Sequence, residues 1–339
     1  MDRCGLNYRW VRAITERFGR VNFGRLEIEV TVDDPKVYTK PWTVKISQML
    51  QPDTDLIDFI CAEKGQTTHG CRRQRGCEMT MLAAFVVAAL AAPLPGQWLH
   101  YPNPGMPRTA DGKPNLSAPT PRTADGKPDL SGIWALQRPL ACAATGCVPP
   151  EFGNIAVSLK DGLPYQPWAR ELAKNRRESL RMDDPISHCL PPGIVELETI
   201  AYKKIVQTPG LLLILHETEA SYRQIFTDGR SLPVDPNPAF NGYSIGKWEG
   251  ETLVVQTAGF RDGIWLDVGG DPVTDAAKIT ERFRRVNYGR LEIDLTVDDL
   301  KAYTKPWTVK LTQVLEADTD LMDNICLENE KDMKHMVGK

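Results

Sequence analysis

The chain has 339 residues, a formal net charge of −3 and a pI near 6.0, with 42% hydrophobic and 25% charged residues. These are globular values, with length for one large or two ordinary domains, and they exclude a disordered or fibrous chain. The small net charge gives no general electrostatic footprint for nucleic acid or an anionic membrane.

Residues 1–13 show no period and are read as unstructured. A stretch that occurs twice then begins. Residues 14–64 (ITERFGRVNFGRLEIEVTVDDPKVYTKPWTVK…) and 279–329 (ITERFRRVNYGRLEIDLTVDDLKAYTKPWTVK…) align without a gap, and roughly seven positions in ten are identical. In each, Leu26, Ile28, Val30 and Val32, or their counterparts, alternate with polar residues as in a half-buried strand. Asn22-Phe23-Gly24 supplies a turn before it, and Trp42, Val44 and Ile46 begin a third strand. Three strands rarely stand alone in water. Residues 14–64 are therefore expected to form an orphan, peripheral β-meander that packs on a spare edge, pairs with another chain or self-associates.

Residues 65–78 read as a polar, basic linker. Arg72, Arg73 and Arg75 then precede an apolar run from Met81 to about Ala92, with Ala89-x-Ala91 at its end. That is the layout of a secretory signal peptide, too short for an ordinary transmembrane helix. It predicts a secreted or periplasmic protein, with a true start at Met79 or Met81 and no stable membrane span. On that reading, residues 1–78 are the tail of an upstream paralogue plus a joining sequence. Residues 97–131 are Pro-rich, carry PRTADGKP twice, at 107–114 and 121–128, and read as an extended tether.

The main domain is expected over 132–339. Tyr165 to Arg181 carries a helical pattern with Trp168, Leu172 and Arg176 on one face, stopped by Asp183-Asp184-Pro185. From Tyr202 the pattern is β, with turns at Thr208-Pro209-Gly210, Thr227-Asp228-Gly229 and Glu249-Gly250. No βαβ alternation is visible. The fold class is mostly β: an antiparallel barrel or sandwich of about eight or nine strands with one α-helix.

The segments GKPDLSGIW (126–134), YRQIFTDGR (222–230), GKWEGETLVV (246–255) and the ERFRR…TVDD…PWT tail of the second repeat occur in one order. On these motifs the chain, over roughly 121–339, resembles a group of uncharacterised secreted bacterial proteins. The resemblance implies export and brings no function with it. The chain departs from the pattern in its extra tail repeat and in Leu300, where the group usually has Pro, as at Pro35.

Several residues are candidates for chemistry. Gly242-Tyr243-Ser244-Ile245-Gly246 matches G-x-S-x-G, but a nucleophile elbow needs a helix after the serine, and KWEGETLVV reads as a strand. His216 and Glu217, adjacent on a strand, point to opposite faces. His69, Cys71 and Cys77 look metal-like but fall in the linker; elsewhere no zinc-ligand spacing is seen, and neither a metal nor another cofactor is expected. Arg223, Arg230, Arg261 and Trp265 are the candidate ligand contacts, because guanidinia and an aromatic face can hold a polar ligand. Asp228, Asp262, Asp267 and Glu281 are the candidate acids or bases. Ion pairing and turn capping is the structural alternative for all these charges. In an oxidising compartment Cys142 is expected to pair with Cys147 and Cys189 with Cys326.

The first function expected is a secreted or periplasmic β-domain binding a small polar or amphipathic ligand. A glycan-directed hydrolase or lyase using the acidic residues is the second, favoured by a convergent carboxylate pair about 5–10 Å apart. A purely structural envelope protein is the third.

Overall fold

The computed structural model describes residues 13–52, 102–137 and 150–322, apart from 36, 189 and 201. The signal-like segment, the linker, the 1–12 stretch, the metal-like His69 cluster and all four cysteines of the expected disulfides lie outside the described residues. No described helix is long and apolar enough to cross a membrane.

The chain divides into two compact units. The first holds the early repeat as a three-stranded antiparallel sheet of β1 (Ala13–Asn22), β2 (Arg25–Asp33) and β3 (Trp42–Met49). Its strands pair as the alternation predicts, Ile14 opposite Val32 and Ile28 opposite Ile46. With no second layer over it, Ile14, Phe18 and Phe23 remain 57%, 62% and 80% exposed.

The second unit is a closed barrel of nine strands. They are β4 (Gly132–Leu136), β5 (Lys203–Thr208), β6 (Leu211–His216), β7 (Tyr222–Phe226), β8 (Tyr243–Glu249), β9 (Thr252–Ala258), β10 (Lys278–Asn287), β11 (Arg290–Asp298) and β12 (Trp307–Leu315). The second repeat supplies β10–β12. The short β4 closes the ring by pairing with β12 on one side and β5 on the other. One junction departs from the antiparallel expectation. β7 and β8 run parallel, with Ile225 opposite Ser244. Parallel neighbours need a crossover instead of a tight hairpin, and the Pro-rich segment 227–242 provides it.

Inward positions alternate along each strand, and Ile205, Ile214, Ile225, Val255, Phe283 and Ile293 are all buried. Three helices accompany the barrel: α1 (Pro150–Gly153), α2 (Pro167–Glu178) and α3 (Ile194–Ile200). The predicted helix is thus α2, shorter at both ends. Its buried face is Ala169 and Ala173, whereas Trp168 is 47% exposed. Small residues let the helix backbone approach closely, and a Trp does not fit that side. Leu180 and Arg181, at φ of 54° and 62°, end the helix before the Asp-Asp-Pro stop.

The described part of the expected tether, 102–131, is folded against the barrel. Each PRTADGKP repeat closes a matching loop, with Thr109 N–H donating to Lys113 O and Thr123 N–H to Lys127 O, both at 2.9 Å. Leu116 lies over Gly289, and the Tyr288 and Gly289 N–H groups donate to the carbonyls of Ala118 and Leu116 at 2.8 Å. The Arg285 guanidinium stacks 4.8 Å from the Trp134 ring and donates to the carbonyl of Ser131 at 3.1 Å. Leu130 is fully buried and accepts from Trp134 Nε1 at 3.0 Å. Pro-rich composition predicted the extended backbone but not the apolar anchors that hold it down.

Candidate functional site

Alternation along seven strands sends polar side chains into the barrel: Lys203 from β5, His216 from β6, Arg223 from β7, Ser244 from β8, Thr257 from β9, Glu281 from β10 and Gln313 from β12, all buried. Arg223 is their hub. It pairs with Glu281, with one Nη1–Oε1 contact at 3.1 Å, and donates to Ser244 Oγ at 3.1 Å and Thr257 Oγ1 at 2.8 Å. A planar guanidinium suits such a bidentate arrangement.

Lys203 pairs with Glu198 of α3, and Gln313 Nε2 donates to Glu198 O at 2.9 Å. Burial pulls Lys203 below its ordinary value; Glu281 opposes this and Arg223 adds to it. Burial, with the charges of Lys203 and Arg223, also holds His216 well below its usual value, so its ring is neutral. His216 Nδ1 has no partner among the described residues.

α3 separates this interior from a second polar cluster. Glu196 and Glu198 are two residues apart, about 200° around the helix, and face opposite ways. At its start, Gly193 packs on Ile264 and the Trp265 carbonyl, where a Cβ would lie 2.4 Å from Ile264 Cγ2. The helix therefore lies between the barrel interior and the loop 261–277.

In that loop Trp265 and Asp267 are buried, with Trp265 bridged to Pro272. Asp267 accepts from the N–H groups of Ile155 at 2.7 Å and Gly269 at 2.9 Å. Asp271 accepts from the Tyr165 hydroxyl at 2.5 Å and from Arg177 at 2.6 Å. The Arg176 guanidinium lies 4.7 Å from the Trp265 ring. Burial, reinforced by the charge of Asp271, pushes Asp267 up to about 7. Burial first, then the charges of Asp184 and Asp267, push Glu196 up to about 8, with Arg181 opposing. Both oxygens of Glu196, Nε1 of Trp265 and Nε of Arg181 are buried with no hydrogen-bond partner among the described residues. Unmet buried polar groups are uncommon in folded proteins and each calls for an explanation.

Set against models of known protein families and against curated proteins, the chain matches none.

The structure separates the candidate residues into four places. Arg223 and Glu281 join inside the barrel, and Trp265 and Asp267 lie under the capping loop. Asp228 and Arg230 pair at the exposed turn after β7, where Arg230 also donates to the Tyr243 hydroxyl at 3.1 Å and stacks 3.8 Å from Phe226. An exposed pair of this kind contributes about 0–1 kcal/mol. Arg261 stacks 4.6 Å from Phe240, and Asp262 accepts from the Asp275 N–H at 3.3 Å. Glu217, on the face opposite His216, accepts from the Met322 N–H at 3.0 Å.

Ser244 is held between strands and hydrogen-bonded to Arg223 and Thr257, so G-x-S-x-G has a packing explanation here. Gly242 sits at φ 61°, where a Cβ would meet the Ala258 carbonyl at 2.9 Å. A Cβ on Gly246 would meet Ile225, Leu253 and Thr227 at 3.1 Å. Gly242→Ala is expected to lower stability by about 1–3 kcal/mol, read as the midpoint of denaturant unfolding. An unchanged midpoint would show that the tight turn is not needed there.

Sequence reasoning missed Glu196, Glu198, Lys203, Asp271 and Tyr165. The detectable signal was Ile194-Val195-Glu196-Leu197-Glu198, two acids inside an apolar run.

Proposed function

We propose that the barrel is an exported protein that binds a small polar ligand at its capped end, between α3 and the loop 261–277. The observation that carries this reading is the set of unmet buried groups: the Glu196 carboxyl, Trp265 Nε1 and Arg181 Nε. With its proton held up to about pH 8, Glu196 offers both an O–H donor and a carbonyl acceptor at neutral pH. The indole and guanidinium groups add donors, and the aromatic ring of Trp265 adds a flat face. A ligand carrying hydroxyl, amide or carbonyl groups complements that set. Export is supported by the signal-like segment 72–92 and by the resemblance to secreted bacterial proteins.

The test is a thermal-shift panel of small polyols, sugars, amides and carboxylic acids on the full chain, Trp265→Phe and Glu196→Gln. At a hundredfold excess over Kd, a true ligand is expected to raise the melting temperature by about 5 °C or more. The shift should shrink in Trp265→Phe, which loses only the N–H group. A panel without effect, or equal shifts in all three proteins, refutes the reading and leaves water as the occupant.

A second reading, a glycan-directed hydrolase, draws on the two raised carboxyls, Asp267 and Glu196, since proton-holding acids mark many acid–base sites. Its check is turnover of a chromogenic glycoside panel that is lost in Asp267→Asn. Binding without turnover decides for the first reading.

A further inference from the structure

We propose that β1–β3 is a second closing sheet, made to dock against the β4–β9 body of another molecule of this chain, in the place that β10–β12 occupies. The residues that β10–β12 bury in the barrel recur in β1–β3. Phe18 and Trp42, exposed to 62% and 40%, stand where Phe283 and Trp307 are buried to 1% and 5%. The polar contacts recur as well. Glu16 is the counterpart of Glu281, the partner of Arg223. Arg20 is the counterpart of Arg285, which holds the carbonyls of Asp129 and Ser131. Gln48 is the counterpart of Gln313, which donates to Glu198. A solvated sheet has no use for a buried-type Glu at that position.

The backbone matches too. Both sheets shift register at the same place, between Arg20 and Asn22 and between Arg285 and Asn287. Beside that turn, β1–β3 carry an open groove of about 410 Å³ lined by residues including Phe23, Gly24, Leu26 and Leu50. In the barrel the matching place is filled by residues 116–118 and by Gly132, packed on Gly289 and Leu315. A Cβ on Gly289 would strike Leu116 at 2.5 Å, whereas on Gly24 the nearest atom is Asn22 Oδ1 at 4.0 Å. The groove is thus the unfilled form of a known contact.

Exchange between two molecules replaces each buried contact with a nearly identical one. The two forms then differ mainly by association entropy and by the few substitutions between repeats. This inference is independent of the ligand reading.

The test traps the exchanged form. In the barrel, Thr280 pairs with Gln256, and Thr15 is the counterpart of Thr280. Full chains carrying Thr15→Cys and Gln256→Cys are prepared with and without ¹⁵N, mixed and oxidised, and the linked peptides identified by mass spectrometry. Thr280→Cys with Gln256→Cys is the control for oxidation. The expected result is a 15–256 peptide with one labelled and one unlabelled half. Adding Glu16→Lys, which sets a cation against Arg223, is expected to reduce it at least about tenfold. The proposal is overturned if the control links and 15–256 does not, or if only same-label peptides appear, which means closure within one molecule. Dimers lacking this link, which point to face-to-face stacking of the exposed sheets, overturn it too.

Discussion

Replacing Glu281 with Ala is expected to destabilise the barrel by about 3–5 kcal/mol, among the largest single-residue losses available in the chain. The carboxylate is fully buried and takes two contacts from Arg223, itself buried. Its removal leaves a guanidinium inside the barrel with only the Ser244 and Thr257 hydroxyls as neighbouring acceptors. The loss reflects that stranded charge and not the net worth of the pair. Taking both charges out of water is costly, and an apolar pair of similar volume often does as well. Arg223→Met with Glu281→Leu is therefore expected to recover most of the loss, while Glu281→Gln, which keeps the shape and a hydrogen bond, should fall between. Guanidinium unfolding midpoints of the four proteins check the order. A double variant no more stable than Glu281→Ala would mean that packing around β7 and β10, not charge, sets the cost.

How much of this was legible follows from what each signal encodes. Period-two alternation and turn residues located the barrel strands, because a strand's inward face is written locally. The same alternation marked Glu281 and Arg223 as inward-pointing, yet nothing local says that β7 and β10, far apart in the chain, bring them within bonding distance. That depends on the parallel β7–β8 step, which a Pro-rich segment allowed and did not announce. Asp228 and Arg230 were readable as a turn pair because they are two residues apart. Trp265 was read as a loop residue, and so it is, but the loop folds over α3 and buries it. Glu196 was hidden for the opposite reason: in a seven-residue helix, too short for a clear period, its burial comes wholly from what packs around it. The repeat predicted a meander without its partners, and the exposed Phe18 and Trp42 bear that out.

Glu196 gives the second large expected effect, a fall in stability on raising the pH that Glu196→Gln abolishes. The folded protein holds this proton up to about pH 8, against an ordinary value of 4.5. Below pH 4.5 both folded and unfolded chains carry the proton and the group favours neither. Between 4.5 and about 8 the unfolded chain releases it and the folded chain does not, so folding becomes less favourable with each unit. Above about 8 both are ionised and the loss is complete, on the order of 4 kcal/mol for a shift of this size. Asp267 acts in the same direction up to about 7. His216, held neutral by burial, acts in the opposite direction, gaining stability as the pH rises toward its ordinary value of 6.5. The difference between wild type and Glu196→Gln removes these shared contributions. The variant is expected to match wild type near pH 4.5 and to exceed it by several kcal/mol at pH 8.5, measured as paired denaturant midpoints across that range. A constant difference at all pH values would show that Glu196 is already ionised in the folded chain, paired with a cation such as Arg181. A ligand that donates to the Glu196 carboxylate would favour its charged form and flatten the wild-type slope. The same pH series, repeated with any compound that shifts the melting temperature, therefore tests whether Glu196 is part of the site it binds.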